Sequence, residues 1–242
     1  LEASGDTDPE TLANHLLAAD RVPRAVEYLL VAAKEASSTL AFERAARLYR
    51  QTLALADTSR EDHGTIQAEL ATALVNAGQS YDAAREYQQA ATRQSAECRP
   101  QLLREAAYQY CVSGHIDLGK QMFRELLLPH GLRLPKTPLV TAAGLIWRRA
   151  IGTLGGQPKS RPVRDDFERV DLTWSAATGI SMFDTLGGGL LHTHHLRLAK
   201  QSGDRYRLAR AMAFEAFMLA TEGWPQKPSC DETIAQAAEI AS

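Results

Sequence analysis

Apolar and polar positions follow the period of an α-helix along most of this chain, and small residues recur at fixed places within that pattern. Three segments align with one another: AFERAARLYRQTL at 41–53, SYDAAREYQQAA at 80–91 and HIDLGKQMFREL at 115–126. Each carries a small residue, an aromatic four positions later, and a small or apolar residue three further on. The triplets are Ala45/Tyr49/Thr52, Ala83/Tyr87/Ala90 and Gly119/Phe123/Leu126, with anchors 38 and 36 residues apart. Twelve residues before each anchor stands another small residue, Ala33, Ala71 or Ala107, followed three positions on by Ala36, Leu74 or Tyr110. Positions three and four apart share one helix face. Each unit therefore predicts two helices meeting along small residues, with the aromatic filling the space between neighbouring pairs. In two units a glycine, Gly78 or Gly114, follows the first helix, where a left-handed residue ends helices at little cost. A single pair cannot bury its own apolar face, so successive pairs must stack.

This spacing resembles the tetratricopeptide repeat. The matching positions are the small residues Ala71 and Ala83, with Leu74, Gly78, Tyr87 and Ala90. The chain departs from that pattern in lacking the usual tryptophan and the following proline, and its period is longer than 34 residues. The resemblance implies an all-α fold, a helical-hairpin solenoid with a right-handed superhelical course, irregular in the middle. Such arrays bind partners along a concave face made by the first helix of each pair. In the register of the family, the groove-facing residues would be Glu27, Lys34, Asn76, Gln101, Arg104, Tyr108 and Arg210. This polar set with one aromatic suits a protein or peptide segment.

The pattern is uneven beyond the third unit. Residues 1–9 read as a polar, flexible lead-in, and 10–127 as the repeats. Residues 128–164 form a basic, proline-punctuated insert, with Pro129, Pro135, Pro138, Pro158 and Pro162 barring any single helix through it. One helix is expected there, TPLVTAAGLIWRR, with Thr137 at its start. From 126 to 164 there is no acidic residue, against Arg133, Lys136, Arg148, Arg149, Lys159, Arg161 and Arg164. That charge reads either as a contact for an anionic partner or as a solvated linker. Helical signals resume over 165–242, in segments expected to close at Gly179, Gly203 and Gly223, with Asp204 as a cap. The chain reaches Ser242 inside a further helix, TIAQAAEIAS, with no polar capping helix, so the parent is expected to continue.

Composition narrows the function. Alanine dominates the apolar fraction, which favours close helix packing. The 27 basic and 29 acidic residues leave a net charge of −2, which makes nucleic acid an unlikely partner. Cys98, Cys111 and Cys230 are odd in number and far apart, which fits a reducing cytoplasm better than a disulfide framework. The most apolar stretch, 138–154, contains Arg148 and Arg149 and is too short to span a bilayer, so no membrane is expected.

Catalytic and cofactor motifs are missing from the sequence. LGGGLLHTH at 186–194 lacks the lysine and hydroxyl residue of a phosphate-binding loop, and reads instead as a helix crossing or helix start. His192 and His195 have a ligand-like spacing, but no acid or cysteine stands near them in sequence to complete a metal site. Glu105 and His130 belong to no recognisable acid, base and nucleophile set. No cofactor, no metal and no catalytic role are expected of this chain.

ADRVPRAVEYLLVAAKEASSTLAFERAARLYRQTLALA is similar to the repeat region that follows AAA-like signal-transduction ATPase modules in large bacterial regulators. VDLTWSAATGISMFDTLGGGLLHTHHLRLAKQSGDRYRLARAMAFEAFMLATEG is similar to its continuation in bacterial serine/threonine protein kinases fused to such an ATPase. The resemblance covers most of 12–242. It implies a non-catalytic interaction and regulatory scaffold, with the attached kinase and ATPase domains among its partners. A related group carries the same repeats ahead of a DNA-binding domain in transcriptional regulators, and that alternative stays open.

Overall fold

The computed structural model describes residues 8–57, 61–134, 167–221 and 227–241. Within them it contains eleven α-helices, one short 3-10 turn and no strand. The chain divides into two compact units, Leu1–His115 and Ile116–Ser242, and each is described by itself. No helix among the described residues is long and apolar enough to cross a membrane. No disulfide joins the three cysteines.

The first unit holds α1 (Pro9–Ala18), α2 (Val22–Ser38), α3 (Phe42–Leu55), α4 (His63–Asn76), α5 (Ser80–Arg93) and α6 (Arg99–Val112). Residues 1–7 of the expected lead-in lie outside the described residues. Asp8 caps α1 by accepting from the Thr11 amide at 3.1 Å. Consecutive helices pack on one another from α1 through α6. The small residues make this possible. Ala33, Ala45, Ala71, Ala83 and Ala107 are all fully buried, and a methyl side chain lets two backbones come close without a void. Tyr49 and Tyr87, predicted to fill the space between pairs, keep only 3% and 7% of their surface exposed.

One turn recurs through this unit. Asp20, Leu40, Gly78 and Gly114 all have left-handed φ, at 57°, 62°, 76° and 82°. The amide of the next residue then bonds a carbonyl five positions back: Arg21 to Leu16 at 2.9 Å, Ala41 to Ala36 at 2.8 Å, Gln79 to Leu74 at 2.8 Å, and His115 to Tyr110 at 2.9 Å. This closure satisfies carbonyls that the helix end would leave bare and reverses the chain within three residues. The glycines at 78 and 114 suit it. In the first unit of the repeat the same place falls to Leu40, whose β-carbon opposes the conformation.

The second unit holds α7 (Ile116–Leu127), a 3-10 turn (Leu128–His130), α8 (Phe167–Ser181), α9 (Thr185–Ser202), α10 (Arg205–Thr221) and α11 (Lys227–Ala241). Gly119 and Phe123 are buried as the pattern predicts, while Leu126 is half-buried and the next residue, Leu127, takes the fully buried place. The expected helix at 137–149 and the basic residues Lys136, Arg148, Arg149, Lys159, Arg161 and Arg164 lie outside the described residues, as does Gly223. Gly179 does not close its helix: α8 runs on to Ser181, because Ile180, 1% exposed, continues the buried face. Gly203 does follow α9, with φ 70°. Asp204 does cap α10, accepting from the Arg207 amide at 2.7 Å.

The glycines at 187–189 mark both features expected of them. Asp184 caps α9 through the Gly187 amide at 2.8 Å. A β-carbon at Gly188 would lie 2.7 Å from the Ser181 Cα, so α8 and α9 come together there only because no side chain intervenes.

Leu40 is 72% exposed and contributes little packing. Leu40→Gly is therefore expected to raise stability by about 0.5–1 kcal/mol, the relief of left-handed strain less the entropy glycine loses on folding. Leu40→Ala, which keeps a β-carbon, is expected to give no such gain. Thermal melts of both variants beside the parent chain check this.

Candidate functional site

The first helices of two successive repeats, α2 and α4, form the sides of one open pocket in the first unit, with α3 beneath. Its volume is about 420 Å³. Lys34, Ser37 and Ser38 come from α2, Phe42 and Tyr49 from α3, and Glu69, Thr72, Ala73 and Asn76 from α4. Two residues assigned to the groove from the sequence, Lys34 and Asn76, are thus brought together. Both are exposed.

Tyr49 organises the pocket. Its ring is held in the core by the small-residue spacing, and its hydroxyl lies beside Ser37 and Glu69. Burial pushes its pKa up to about 12; the Ser37 hydroxyl works against that shift, and the Glu69 carboxylate adds to it. The phenol is therefore a neutral donor at any physiological pH. Glu69 Oε2 is enclosed and has no hydrogen-bond partner.

The next repeat varies the same theme. Tyr87 Oη and Thr72 Oγ1 share a hydrogen bond at 3.0 Å. Burial raises the Tyr87 phenol, the Thr72 bond lowers it, and the charge of Glu105 raises it further. Glu105 stands two residues before Ala107, as Glu69 stands two before Ala71. Arg104 Nη2 lies 3.2 Å from Glu105 Oε1. Tyr108 is half-buried, and its phenol is raised by burial and then by the charge of Glu105. Gln101, Arg104 and Tyr108 share one face of α6, by their spacing of three and seven. Glu27 is exposed on α2 and does not line the pocket.

Arg210, the remaining residue assigned to the groove, lies in the second unit and is held in that unit's packing. Its guanidinium lies 2.8 Å from Asp171 Oδ1 and 4.6 Å from the Trp174 ring centre. Arg207 grips the same carboxylate with two hydrogen bonds, at 3.1 and 2.6 Å. Burial alone would raise the Asp171 pKa, but the bonds from Arg207 and Arg210 outweigh it and hold it below 3.8. A planar guanidinium fork between a carboxylate and an aromatic face is a strongly preferred arrangement, which is why Arg210 is drawn inward.

His192 and His195 are buried at 1% and 0% exposure between α8 and α10. His195 Nδ1 lies 3.1 Å from the Val170 carbonyl and 3.3 Å from Thr173 Oγ1. Burial, with the charges of His192 and Arg210, pushes its pKa down to about 3; the Val170 bond and Asp171 oppose this. Neutral His195 therefore donates from Nδ1 to Val170. His192 Nε2 sits 2.9 Å from Glu215 Oε2, though off the line a hydrogen bond needs. That acid comes from α10, 23 residues further along the chain, so local spacing gave no sign of it. Among the described residues no group of three or more His, Cys, Asp or Glu is placed to hold a metal ion.

No protein-family model matches the chain, and no curated protein matches it.

Of the lining residues only Lys34 and Asn76 were assigned from the sequence; the polar ones it missed are Ser37, Ser38, Tyr49, Glu69 and Thr72. The repeat pattern assigns Tyr49 to the core, and its ring is there, while the residue also lines the pocket. Glu69 and Glu105 did carry a signal, an acid two residues before the small anchor in the second and third repeats, where the first has Val31.

The second unit should show a distinct acid response. Unfolded histidine takes up a proton near pH 6.5, whereas folded His195 resists it until about 3. The unfolded state then binds more protons, so stability is present above 6.5 and falls as pH drops through that window. Melts between pH 7 and 5, above the range where most carboxylates titrate, should show this loss. In His195→Gln, which is neutral throughout, the slope of melting temperature against pH should be shallower.

Proposed function

We propose that the chain is a tetratricopeptide-like module of helical hairpins that binds a protein or peptide segment and catalyses nothing itself. The observation that carries this reading is the pocket between α2 and α4. Lys34 and Asn76 stand 42 residues apart in the sequence, and both line it. An open recess, mostly apolar in its lining with charged and amide side chains at its rim, suits an extended segment that offers side chains to a groove. The stacking of similar pairs fits a superhelical course, because each pair adds a similar small rotation, and the likeness to tetratricopeptide repeats implies the right hand.

The likeness to repeats that follow ATPase modules supports a wider role, that of a regulatory scaffold in a larger bacterial signalling protein with serine/threonine kinase and ATPase domains. A segment bound in the groove would favour one curvature of the stack over another, and so bias the attached domains. A reducing cytoplasm fits the spacing of the cysteines.

Short random peptides panned against the immobilised chain test the binding role. Selected sequences, made as free peptides, should bind with micromolar affinity by calorimetry. Asn76→Arg, which fills the recess from an exposed helix position, should weaken them by about tenfold or more, equivalent to about 1.4 kcal/mol, while the melting temperature stays close to that of the parent chain. Unaltered binding by Asn76→Arg would show that the segment docks elsewhere.

A further inference from the structure

Resting on that reading of the pocket as a peptide groove, we propose that it takes a basic side chain of the partner, arginine ahead of lysine, with Glu69 as counter-ion. Glu69 is a carboxylate with several acceptor positions. Tyr49 lies beside it, and Oε2 is enclosed and without a hydrogen-bond partner. Such an oxygen is costly while unpaired and is relieved by an incoming N–H donor.

The chain supplies its own template for what such an acid binds. Glu105 occupies the same repeat position in α6, and it has a cation beside it, Arg104, at 3.2 Å. In α4 the residue before Glu69 is Ala68. The arginine that precedes the acid in the later repeat is therefore missing from the earlier one, and there the acid lines an open recess. Phe42 among the lining residues adds an aromatic face that attracts a guanidinium. The planar fork of arginine fits a carboxylate and stacks on such faces, which a lysine ammonium does less well.

Lys34 opposes this occupant. It lies on the rim, exposed, and it is the other charged residue lining the pocket. Its position predicts the sign of a second effect. Removing it should tighten binding of a basic segment, whereas an acidic segment held by Lys34 would be lost.

The experiment is the random-peptide selection on the full chain, followed by titration of the winning peptides and of the same peptides with each arginine replaced by citrulline. Enriched peptides should carry arginine. Citrulline at one position should weaken binding about tenfold or more, and Glu69→Gln should do the same without changing the melting temperature. Ala68→Arg, which builds into α4 the neighbour that Glu105 already has, should block the pocket and abolish binding. Lys34→Ala should tighten it. Enriched peptides that lack basic residues, or that keep their affinity in both Glu69→Gln and Ala68→Arg, overturn the proposal while leaving the groove reading intact. Acidic peptides lost on Lys34→Ala overturn it as well. Failure to enrich any peptide overturns the groove reading itself, and this proposal with it.

Discussion

The structure of the first unit depends on how closely its helices approach one another. Ala33 and Ala45 in one repeat, and Ala71 and Ala83 in the next, are buried to the last square ångström. Larger side chains at these places would force the helices apart, and the core has no slack to absorb them. The close approach then sets everything outside it. Helices this near can be joined by three residues, and three residues suffice only if one of them is left-handed. Tyr49 and Tyr87 can fill the space between pairs and still bring their hydroxyls to the polar side, because the small residues hold their helices at a fixed depth.

That double use of tyrosine links the core to the candidate site. The ring answers to packing and the hydroxyl to the groove. At Tyr49 the hydroxyl lies beside Ser37 of α2 and Glu69 of α4; at Tyr87 it is bound to Thr72 and lies in the field of Glu105. The polar residues of the first helices are thus not a free surface. They are a layer organised from below, with one acid already provided with an arginine and the other left facing a recess. The second unit uses similar groups for a different end. Asp171, Arg207, Arg210 and Trp174 satisfy one another within the packing of α8 and α10, and His195 is kept neutral in the core.

Much of the first unit was legible in the sequence because its information is local and repeated. The small residues at 33, 45, 71 and 83, the tyrosines four beyond the anchors, and the glycines at 78 and 114 each announce their role within one helix turn. The turn at Leu40 was not legible, because leucine gives no sign of a left-handed backbone and only comparison with the other repeats reveals it. Gly179 misled for the opposite reason: a glycine in a helical pattern usually closes it, but here the buried face carried on through Ile180. Arg210 was read as a groove residue because its partner Asp171 lies 39 positions away, on another helix. The pairing of His192 with Glu215 was hidden in the same way. Of the pocket, the rim residues Lys34 and Asn76 were reached by register, while Tyr49 was hidden by its core role and Glu69 by a signal that shows only when two repeats are compared.

The most direct test of the central claim, that α2 and α4 together present the binding site, is amide chemical-shift mapping of the isotope-labelled chain. The titrant is the tightest-binding peptide from a random pool. The account predicts that the largest changes fall at Lys34, Ser37, Ser38, Glu69 and Asn76, with the amides around Asp171 and Arg210 little affected. Largest changes in the second unit, or changes confined to α6 with none at Glu69, would contradict it.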